Sequence, residues 1–555
     1  MKGRTEIPPP PDQADPDTVT TDPFGWCKDG AAMLRRNFAA FGELVDRARH
    51  HLELRDNAAA AAFAEVAAFH AVSSPCGLFA SAELDDLLVA IGRREVGRGS
   101  PRRAGSVHMR RIIHVATTVQ TIGGHGRMIW RWIQSDPSSC HSVVVTRQEG
   151  GIPPELTQAV AAQGGTVTRL TGPASRLIEK ARQLRQRAAS ADLIILHIGS
   201  RDVVPTLAFA ESENRAPVFF LDHGDHLFWL GASIWDAVIS LRNSGRRLAA
   251  MRRGVPPSRT LLLPIPIQPL ETRTAKAEVK QRLGIDAHQL VVLSVARALK
   301  YATINGISYA DAHLPFLRAE PNAVLVVLGA GRRPDWQSAV DAVGGRILSF
   351  PETPDTRDFY DAADIYVDSY PFVSTTSMME AALRGVPVVS RNPYSPHSAI
   401  LACDVPGLDP VMIRATMATD YTAALMRLSQ DGVERAKLGD MTRRSMLAVH
   451  SGPAWREALH EIYRFADSIP NSLPPSAPPT APCFSEPDVF LPFVHGNIGH
   501  PDRSLAALLD LFRPYLRFRL CLDLALRHGA QHWSVRGIAR SWFPGATRRF
   551  ARRFI

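Results

Sequence analysis

From Arg110 onward, short apolar runs rich in β-branched residues alternate with stretches whose apolar positions recur at helical spacing. RIIHVAT (111–117), SVVVT (142–146), TVTRL (166–170), LIILHIG (193–199), PVFFLDH (217–223) and AVISL (237–241) form a first series. LVVLSVA (290–296), AVLVVLGAG (323–331), GRILSF (345–350), DIYVDSY (364–370) and VPVVSR (386–391) form a second. Helix-like segments such as 154–163 and 175–189 separate the runs, so the pattern predicts βαβ units and buried parallel strands. A Pro-rich crossing, LLLPIPIQPL (261–270), divides the two series. The expected fold class is α/β: two doubly wound, Rossmann-like domains facing across a cleft, the place where such folds bind ligands.

The flanks differ. Between about Ala31 and Arg94 the chain is alanine-rich, with Phe63, Val66, Ala67 and His70 at helical spacing, which predicts two to four helices. The expected organisation is a disordered N-terminus (1–30), a helical accessory region (31–105), an N-terminal domain (106–268), a C-terminal domain (269–467), a Pro-rich linker (468–488) and a basic amphipathic tail (489–555). The formal charge of +10 is concentrated in that tail, where eleven arginines face three aspartates. The body is nearly neutral, which argues against nucleic acid as a partner, while arginines interleaved with Leu, Phe and Tyr suit an anionic membrane surface. No stretch reaches the roughly 20 apolar residues that span a bilayer, and the polar start of the chain lacks a secretory signal. The expected location is cytoplasmic, with the tail as a peripheral contact on the inner membrane face. Six cysteines are scattered singly, with no C-x-x-C pair, so neither a metal site nor a disulfide framework is expected.

The richest stretch is DSYPFVSTTSMMEAALRGVPVVSRN (368–392). A strand ends in a turn at Pro371, and hydroxyl residues Ser374, Thr375, Thr376 and Ser377 open a helix. A helix N-terminus offers unpaired N–H groups and a positive dipole end, which suits phosphate. Glu380 lies one turn below Thr376 on the same face, placed to accept hydrogen bonds from ribose hydroxyls.

The run from Glu380 through Val389 resembles the E-A-(three residues)-G-x-P-V-V segment of GT-B glycosyltransferases. The Asp-x-x-Pro-Phe…Thr-Thr approach is most similar to protein O-GlcNAc transferase-type enzymes. The resemblance covers about residues 110–465. It implies a GT-B fold with an acceptor domain followed by a nucleotide-sugar donor domain. It also implies donor diphosphate contacts from Thr376 and Ser377, with Thr375 adjacent, and a ribose contact from Glu380. Retaining GT-B enzymes often carry a second Glu eight positions earlier; here that position is Phe372.

Further candidates lie at other strand ends. Arg297 and Lys300 follow LVVLSVA, where two cations can neutralise a diphosphate leaving group without a metal. The backbone of Leu348–Phe350 corresponds to the base-recognising segment of the resembled fold. In TIGGHGRMIWRWI (121–133), Gly123, Gly124 and Gly126 permit close backbone approach, which resembles the glycine-rich loop of GT-B N-lobes. His125 and Arg127 would then join the site. FFLDHGDHLFWLG (219–231) adds His223 as a sugar or acceptor contact; His197, at another strand end, fits a structural role equally well. The expected reaction moves a sugar from a nucleoside diphosphate donor to a hydroxyl acceptor on a glycan, a lipid-linked molecule or a protein. No cofactor is expected beyond that co-substrate. If the transfer inverts, His125 or His223 is the base; if it retains, the leaving phosphate can serve. A nucleotide-sugar 2-epimerase and an inactive sugar-binding scaffold are the alternatives.

Overall fold

The structure is a computed structural model that describes residues 22–97, 109–121, 124–268, 274–402, 404–469 and 473–528. A seven-stranded sheet contains β1 (Arg110–Ala116), β2 (Ser139–Val145), β3 (Val167–Arg169), β4 (Leu193–His197), β5 (Val218–Asp222), β6 (Ala237–Ser240) and β7 (Thr260–Leu262). Its order is β3-β2-β1-β4-β5-β6-β7. A six-stranded sheet contains β8 (Leu290–Val295), β9 (Ala323–Leu328), β10 (Ile347–Phe350), β11 (Ile365–Val367), β12 (Val388–Arg391) and β13 (Ile413–Ala415), ordered β10-β9-β8-β11-β12-β13. All pairings are parallel. Strand order reverses between β1 and β4, and again between β8 and β11, so each sheet has a switch point where its loops splay apart to admit a ligand. Eleven of these strands coincide with the apolar runs. The other two are three-residue edge strands: β7 uses the start of the Pro-rich crossing, and β13 has no apolar run to announce it.

Both faces of the first sheet are covered, one of them by the alanine-rich region. Helices Cys27–Glu53, Asn57–Ser73 and Ala82–Glu95 pack against Ile113, Val115, Val144, Ile194 and Phe220. The middle helix is buried almost all round, which its run of alanines allows by letting neighbours approach closely. Each start is capped by a side chain: Asp22 accepts from the N–H of Trp26 (3.0 Å) and Cys27 (2.8 Å), Asp56 from Ala59, and Ser81 from Leu84. On the opposite face, Ile112, Leu193, Ile195 and Phe219 meet Trp132 of the helix Gly124–Ser135. They also meet Trp455, Leu459 and Ile462 of the helix Gly452–Ser468.

The packing departs from the expected divisions. Helix Gly452–Ser468, expected in the second domain, lies on the first sheet, because its apolar stripe completes that core. The N-terminal segment expected to be disordered through residue 30 has Phe24 buried and a helix from Cys27; residues 1–21 lie outside the described residues. The Pro-rich linker is a bound strap. Extended proline-rich chain leaves its backbone polar groups free of internal partners, and here the body supplies them: Arg259 donates to Pro474 O (2.8 Å), and Cys483 N–H donates to Gly77 O (2.8 Å). The expected tail likewise begins inside the body. Arg252 makes a two-pronged ion pair with Asp488 (2.7 and 2.8 Å), and Val489, Phe490, Leu505, Leu511 and Phe512 are buried. Residues 98–108 and 529–555 lie outside the described residues.

Gly30 shows how tightly the returning chain is held: a Cβ there would stand 2.0 Å from the carbonyl oxygen of Val489. In an isolated helix Gly→Ala stabilises by up to about 1 kcal/mol. Here Gly30→Ala is expected to reverse that sign and destabilise by about 1–3 kcal/mol through overpacking. Thermal unfolding, with limited proteolysis mapped to 473–498, checks it.

Candidate active site

The turn after β11 is built around one carboxylate. Asp368 accepts from the N–H of Ser369 (2.8 Å) and Ser374 (3.0 Å), and Tyr309 donates its hydroxyl to the Asp368 carbonyl (2.9 Å). This fixes the entry to the helix Thr375–Leu383, whose first N–H groups have no partner within the helix. Thr375 and Thr376 line a cavity of about 240 Å³ between the lobes. Ser377 does not; its hydroxyl pairs with that of Ser374 (3.0 Å). Lys300, in the loop after β8, lines the same cavity. Its ammonium donates to Val373 O (2.6 Å) and sits 4.9 Å from the Phe372 ring centroid. Burial brings the Lys300 pKa down to about 8, with Asp368 opposing that shift and Arg297 and Arg242 adding to it. Both groups stand at the β8/β11 switch point, as the open ends of a doubly wound sheet require.

The N-terminal lobe supplies the facing wall. A Cβ on Gly124 would lie 2.6 Å from Thr376 Cγ2, so a residue without a side chain is what lets the two helix starts meet across the cleft. Gly123 lies outside the described residues. His125 and His223 both line the cavity, their rings stacked 4.0 Å apart. Burial pushes His125 down to about 4, and burial with His125 alongside holds His223 well below the usual imidazole range. Both are therefore neutral at pH 7, the form able to accept a proton.

Several expected residues sit elsewhere. Arg297 is exposed on the loop leading to Lys300 and does not line the cavity. Leu348 and Phe350 lie on the edge strand β10, and the Phe350 carbonyl already accepts from Gly329 (2.9 Å) and Gly331 (3.0 Å). Glu380 faces three guanidinium groups: Arg127 (3.2 Å) and Arg131 (3.5 Å) from the opposite lobe, and Arg384 (3.4 Å) from its own helix. Arg127 therefore reaches Glu380 rather than the cavity.

Arg242 was not singled out from the sequence, although it follows the AVISL strand directly. It makes a two-pronged pair with Asp225 (2.6 and 2.7 Å) and donates to Ile400 O (2.7 Å) and Ala402 O (3.2 Å) of the other lobe. Burial alone would raise the Asp225 carboxyl; Arg242 and His226 hold it well below the usual range. Asp222 pairs with Arg253 through one oxygen and lines the cavity, and burial raises its carboxyl to about 6. Away from the cavity, His500, Asp502 and His528 have metal-ligand spacing, but Asp502 is already met by His528 (2.8 Å) and Arg527 (3.7 Å).

A larger cleft of about 860 Å³ starts on the loop after β1, lined in part by Thr117, Gln120, Thr121, Gln148 and Leu511. Among its cations, Arg147 and Arg201 both pair with Glu65 of the helix Asn57–Ser73, and Lys180 donates to the Thr146 carbonyl (3.1 Å).

No protein-family profile matches this chain, and no curated protein sequence does. Solved structures do. A glycosyltransferase from Rickettsia africae aligns at TM-score 0.50 and 11% identity over 65% of this chain and 99% of that one. An O-GlcNAc transferase mutant from Thermobaculum terrenum aligns at 0.46 and 16% over 80% and 84%. Anabaena HepE in complex with UDP and glucose aligns at 0.47 and 15% over 65% and 100%. The fold is GT-B. Two parallel doubly wound sheets, with their switch points facing one cavity, meet the description expected from the sequence.

Removing the Asp225 carboxylate would take from the buried Arg242 its two-pronged ion-pair partner. Asp225→Ala is expected to lower stability by about 3–5 kcal/mol, read by denaturant unfolding at pH 7.

Proposed function

We propose that the chain is a glycosyltransferase that moves a sugar from a nucleoside diphosphate donor to a hydroxyl acceptor. The carrying observation is the meeting in one cavity of a hydroxyl-bearing helix N-terminus, a buried lysine and two neutral histidines from the opposite lobe. In this reading the N-terminus at Thr375 and Thr376 takes the diphosphate, with Lys300 turning from Val373 O to the leaving oxygens as charge develops there. Arg297 and Ser377 flank that anion, Glu380 takes the ribose hydroxyls, and the backbone near Leu348 and Phe350 meets the base. Phe372 gives the sugar side an apolar wall instead of a carboxylate. The reading that follows is inverting, with His125 as the base, steadied by its stack on His223. The chemistry assigned to these residues needs no metal.

The volume adds a step. Ligand pockets usually enclose roughly 300–1,000 Å³, so a cavity of about 240 Å³ admits a nucleotide sugar once the lobes part. Glu380, bridged to Arg127 and Arg131, is the contact that parting breaks, which frees its carboxylate for ribose. The 860 Å³ cleft, whose wall sets hydroxyls and amides among charged groups that include Glu149, Lys180 and Asp510, suits a polyhydroxyl acceptor. An epimerase would need several carboxylates around the sugar, whereas Asp225 is taken by Arg242 and Asp222 keeps one oxygen on Arg253.

The test is a thermal-shift screen against UDP-, GDP-, ADP- and dTDP-sugars, followed by transfer assays with the stabilising donor. Glu380→Ala and Lys300→Met should each weaken nucleoside diphosphate binding roughly 10- to 100-fold. Affinity should also fall as pH rises through about 8, where Lys300 loses its proton, and this fall should vanish in Lys300→Met. Calorimetric titrations between pH 7 and 9.5 check it. Failure of every donor to stabilise the fold, or an unchanged alkaline limb in the variant, rejects the assignment.

A surface feature bears on where the enzyme works. On the helix Pro514–His528, Leu520, Cys521 and Leu524 face inward while Tyr515, Phe518, Leu522 and Leu526 are exposed along one stripe. Arg519 lies over Tyr515 (5.9 Å), and the sequence from 529 to 555 adds six arginines and no acidic residue. An apolar stripe set among arginines matches an anionic bilayer surface. The full chain is expected to co-sediment with phosphatidylglycerol-containing vesicles, less so at high salt, and Leu522→Glu/Leu526→Glu should abolish this. Equal binding to neutral vesicles, or a dimer lost in the same variant, would contradict it.

A further inference from the structure

We propose that a line of buried histidines beneath the site, running from His197 through His114 and His141 to Asp136, relays the acceptor proton away from His125. The inference rests on the transferase reading and assigns work to residues that reading does not use.

The three imidazoles lie on neighbouring strands β4, β1 and β2, and each is fully buried. They run diagonally across one face of the first sheet, from the β4 end nearest the cleft back toward the start of β2. His197 Nε2 lies 2.8 Å from His114 Nδ1, and His114 Nε2 lies 2.9 Å from His141 Nδ1. His141 Nε2 lies 3.1 Å from Asp136 Oδ2. Asp136 also accepts from the hydroxyls of Tyr463 (2.5 Å) and Ser138 (2.6 Å), and these bonds with His141 hold its carboxyl well below the usual range against burial.

The direction of the line follows from counting protons. An ionised carboxylate only accepts, and a neutral imidazole has one N–H and one bare nitrogen. With one proton on each imidazole, His141 donates from Nε2 to Asp136, which leaves its Nδ1 bare. His114 then donates from Nε2 and presents a bare Nδ1, and His197 does the same. The line ends at His197 Nδ1, a buried nitrogen without a partner among the described residues. His125 Nε2 is also buried and unpartnered. Their ring centroids are 6.3 Å apart, against 5.0 Å for the hydrogen-bonded His197–His114 pair. A hydrogen bond to the His197 backbone carbonyl ties His125 in place. A ring movement on the order of 1 Å carries its N–H from that carbonyl to His197 Nδ1, leaving Nε2 as the nitrogen that takes the hydroxyl proton. Buried polar atoms rarely stay unmatched, and an aliphatic core would fill this face without the desolvation cost of three imidazoles.

As the acceptor oxygen bonds to the sugar carbon, the bond from that carbon to the diphosphate oxygen breaks and its electron pair leaves on the diphosphate. One nitrogen of His125 takes the hydroxyl proton while the other gives its own to His197 Nδ1. His197 Nε2–H passes to His114, His114 Nε2–H to His141, and His141 Nε2–H to Asp136. Every imidazole ends with one proton, and the added proton reaches Asp136, whose depressed carboxyl makes it a point of release to water beside the exposed Ser138 rather than a resting place. This keeps positive charge out of a buried cavity that already holds Lys300 and Arg242. The groups facing His125 are His223 and His197, with Asp222, Asp225, His226, Lys300 and Arg242 on the cavity wall. Tyr463, Ser138 and His141 face Asp136, and Arg110 stacks on the Tyr463 ring at 5.0 Å.

Two readouts on the full chain decide the matter. In Asp136→Asn the side-chain amide oxygen can still accept from His141 but cannot take its proton. This variant should leave nucleotide affinity unchanged, lower kcat about tenfold or more, and make turnover climb with pH as hydroxide replaces the relay. Tyr463→Phe removes one donor from the carboxylate and should shift the kcat/KM profile while retaining turnover; it serves if Asp136→Asn does not fold. Wild-type pH profiles in the folded variants overturn the relay. Independently of any transfer, nitrogen-15 imidazole spectra should find the proton of His114, His141 and His197 on Nε2, and a proton on Nδ1 of any of them overturns it. A chain that binds nucleotide sugar yet transfers to no acceptor would refute the transferase reading, with the spectra still judging the line of hydrogen bonds.

Discussion

The two lobes are tied together at the floor of the cavity by one buried guanidinium. Arg242 belongs to the first lobe, satisfies Asp225 of that lobe, and spends its remaining donors on carbonyls 400 and 402 of the second. A buried charge tolerates few arrangements, because any donor left unpaired carries the full desolvation penalty. This contact therefore constrains distance and orientation together, alongside the Ser244 N–H to Asp404 bond, where Thr376 rests against Gly124. The Glu380 cluster at the other end of the interface is more exposed, with contacts of 3.2–3.5 Å to arginines of both lobes. Its screening by water makes it the weaker of the two contacts.

The returning chain reinforces the same geometry. After helix Gly452–Ser468 crosses back to the first sheet, the proline-rich strap touches the N-terminal helices at Gly77 and the second lobe through Glu486, which accepts from Ser398 (2.9 Å). His495 then stacks on His226 at 4.3 Å, beside Phe372. A strap contacting both lobes and the cavity wall limits how far they separate without adding to the site's chemistry.

How much of this was legible follows from which forces are local. Buried parallel strands need continuous apolar runs, so eleven strands and the two-sheet division could be read directly. Thr375, Thr376 and Lys300 could be placed because strand-end loops and a helix start are local features. Arg242 could not, since its importance lies in carbonyls about 160 positions away. The strap failed for a related reason: prolines identify extended chain, but its partners Gly77, Arg259 and Ser398 are scattered along the sequence. Glu380 shows a subtler limit. Its helical position was legible, but the arginines it meets come from the opposite lobe. The histidine line needed register as well, because His114, His141 and His197 come together only once β1 is flanked by β2 and β4.

The cavity that results has two electrically distinct walls. The second lobe and the floor bring positive charge: a helix N-terminus, Lys300 and Arg242. The first lobe brings imidazoles that burial keeps neutral, with His125 at about 4. Were those imidazoles charged, they could not take a proton; were Lys300 neutral throughout, the cavity would lose the lysine cation on its second-lobe wall. Desolvation acts on both walls in the same direction, lowering every cationic pKa. The outcome differs because lysine starts from 10.5 and stops near 8, whereas histidine starts from 6.5 and falls out of the physiological range. One uniform physical effect on two residue types thus divides the cleft into a cationic side and a side of neutral, proton-accepting imidazoles.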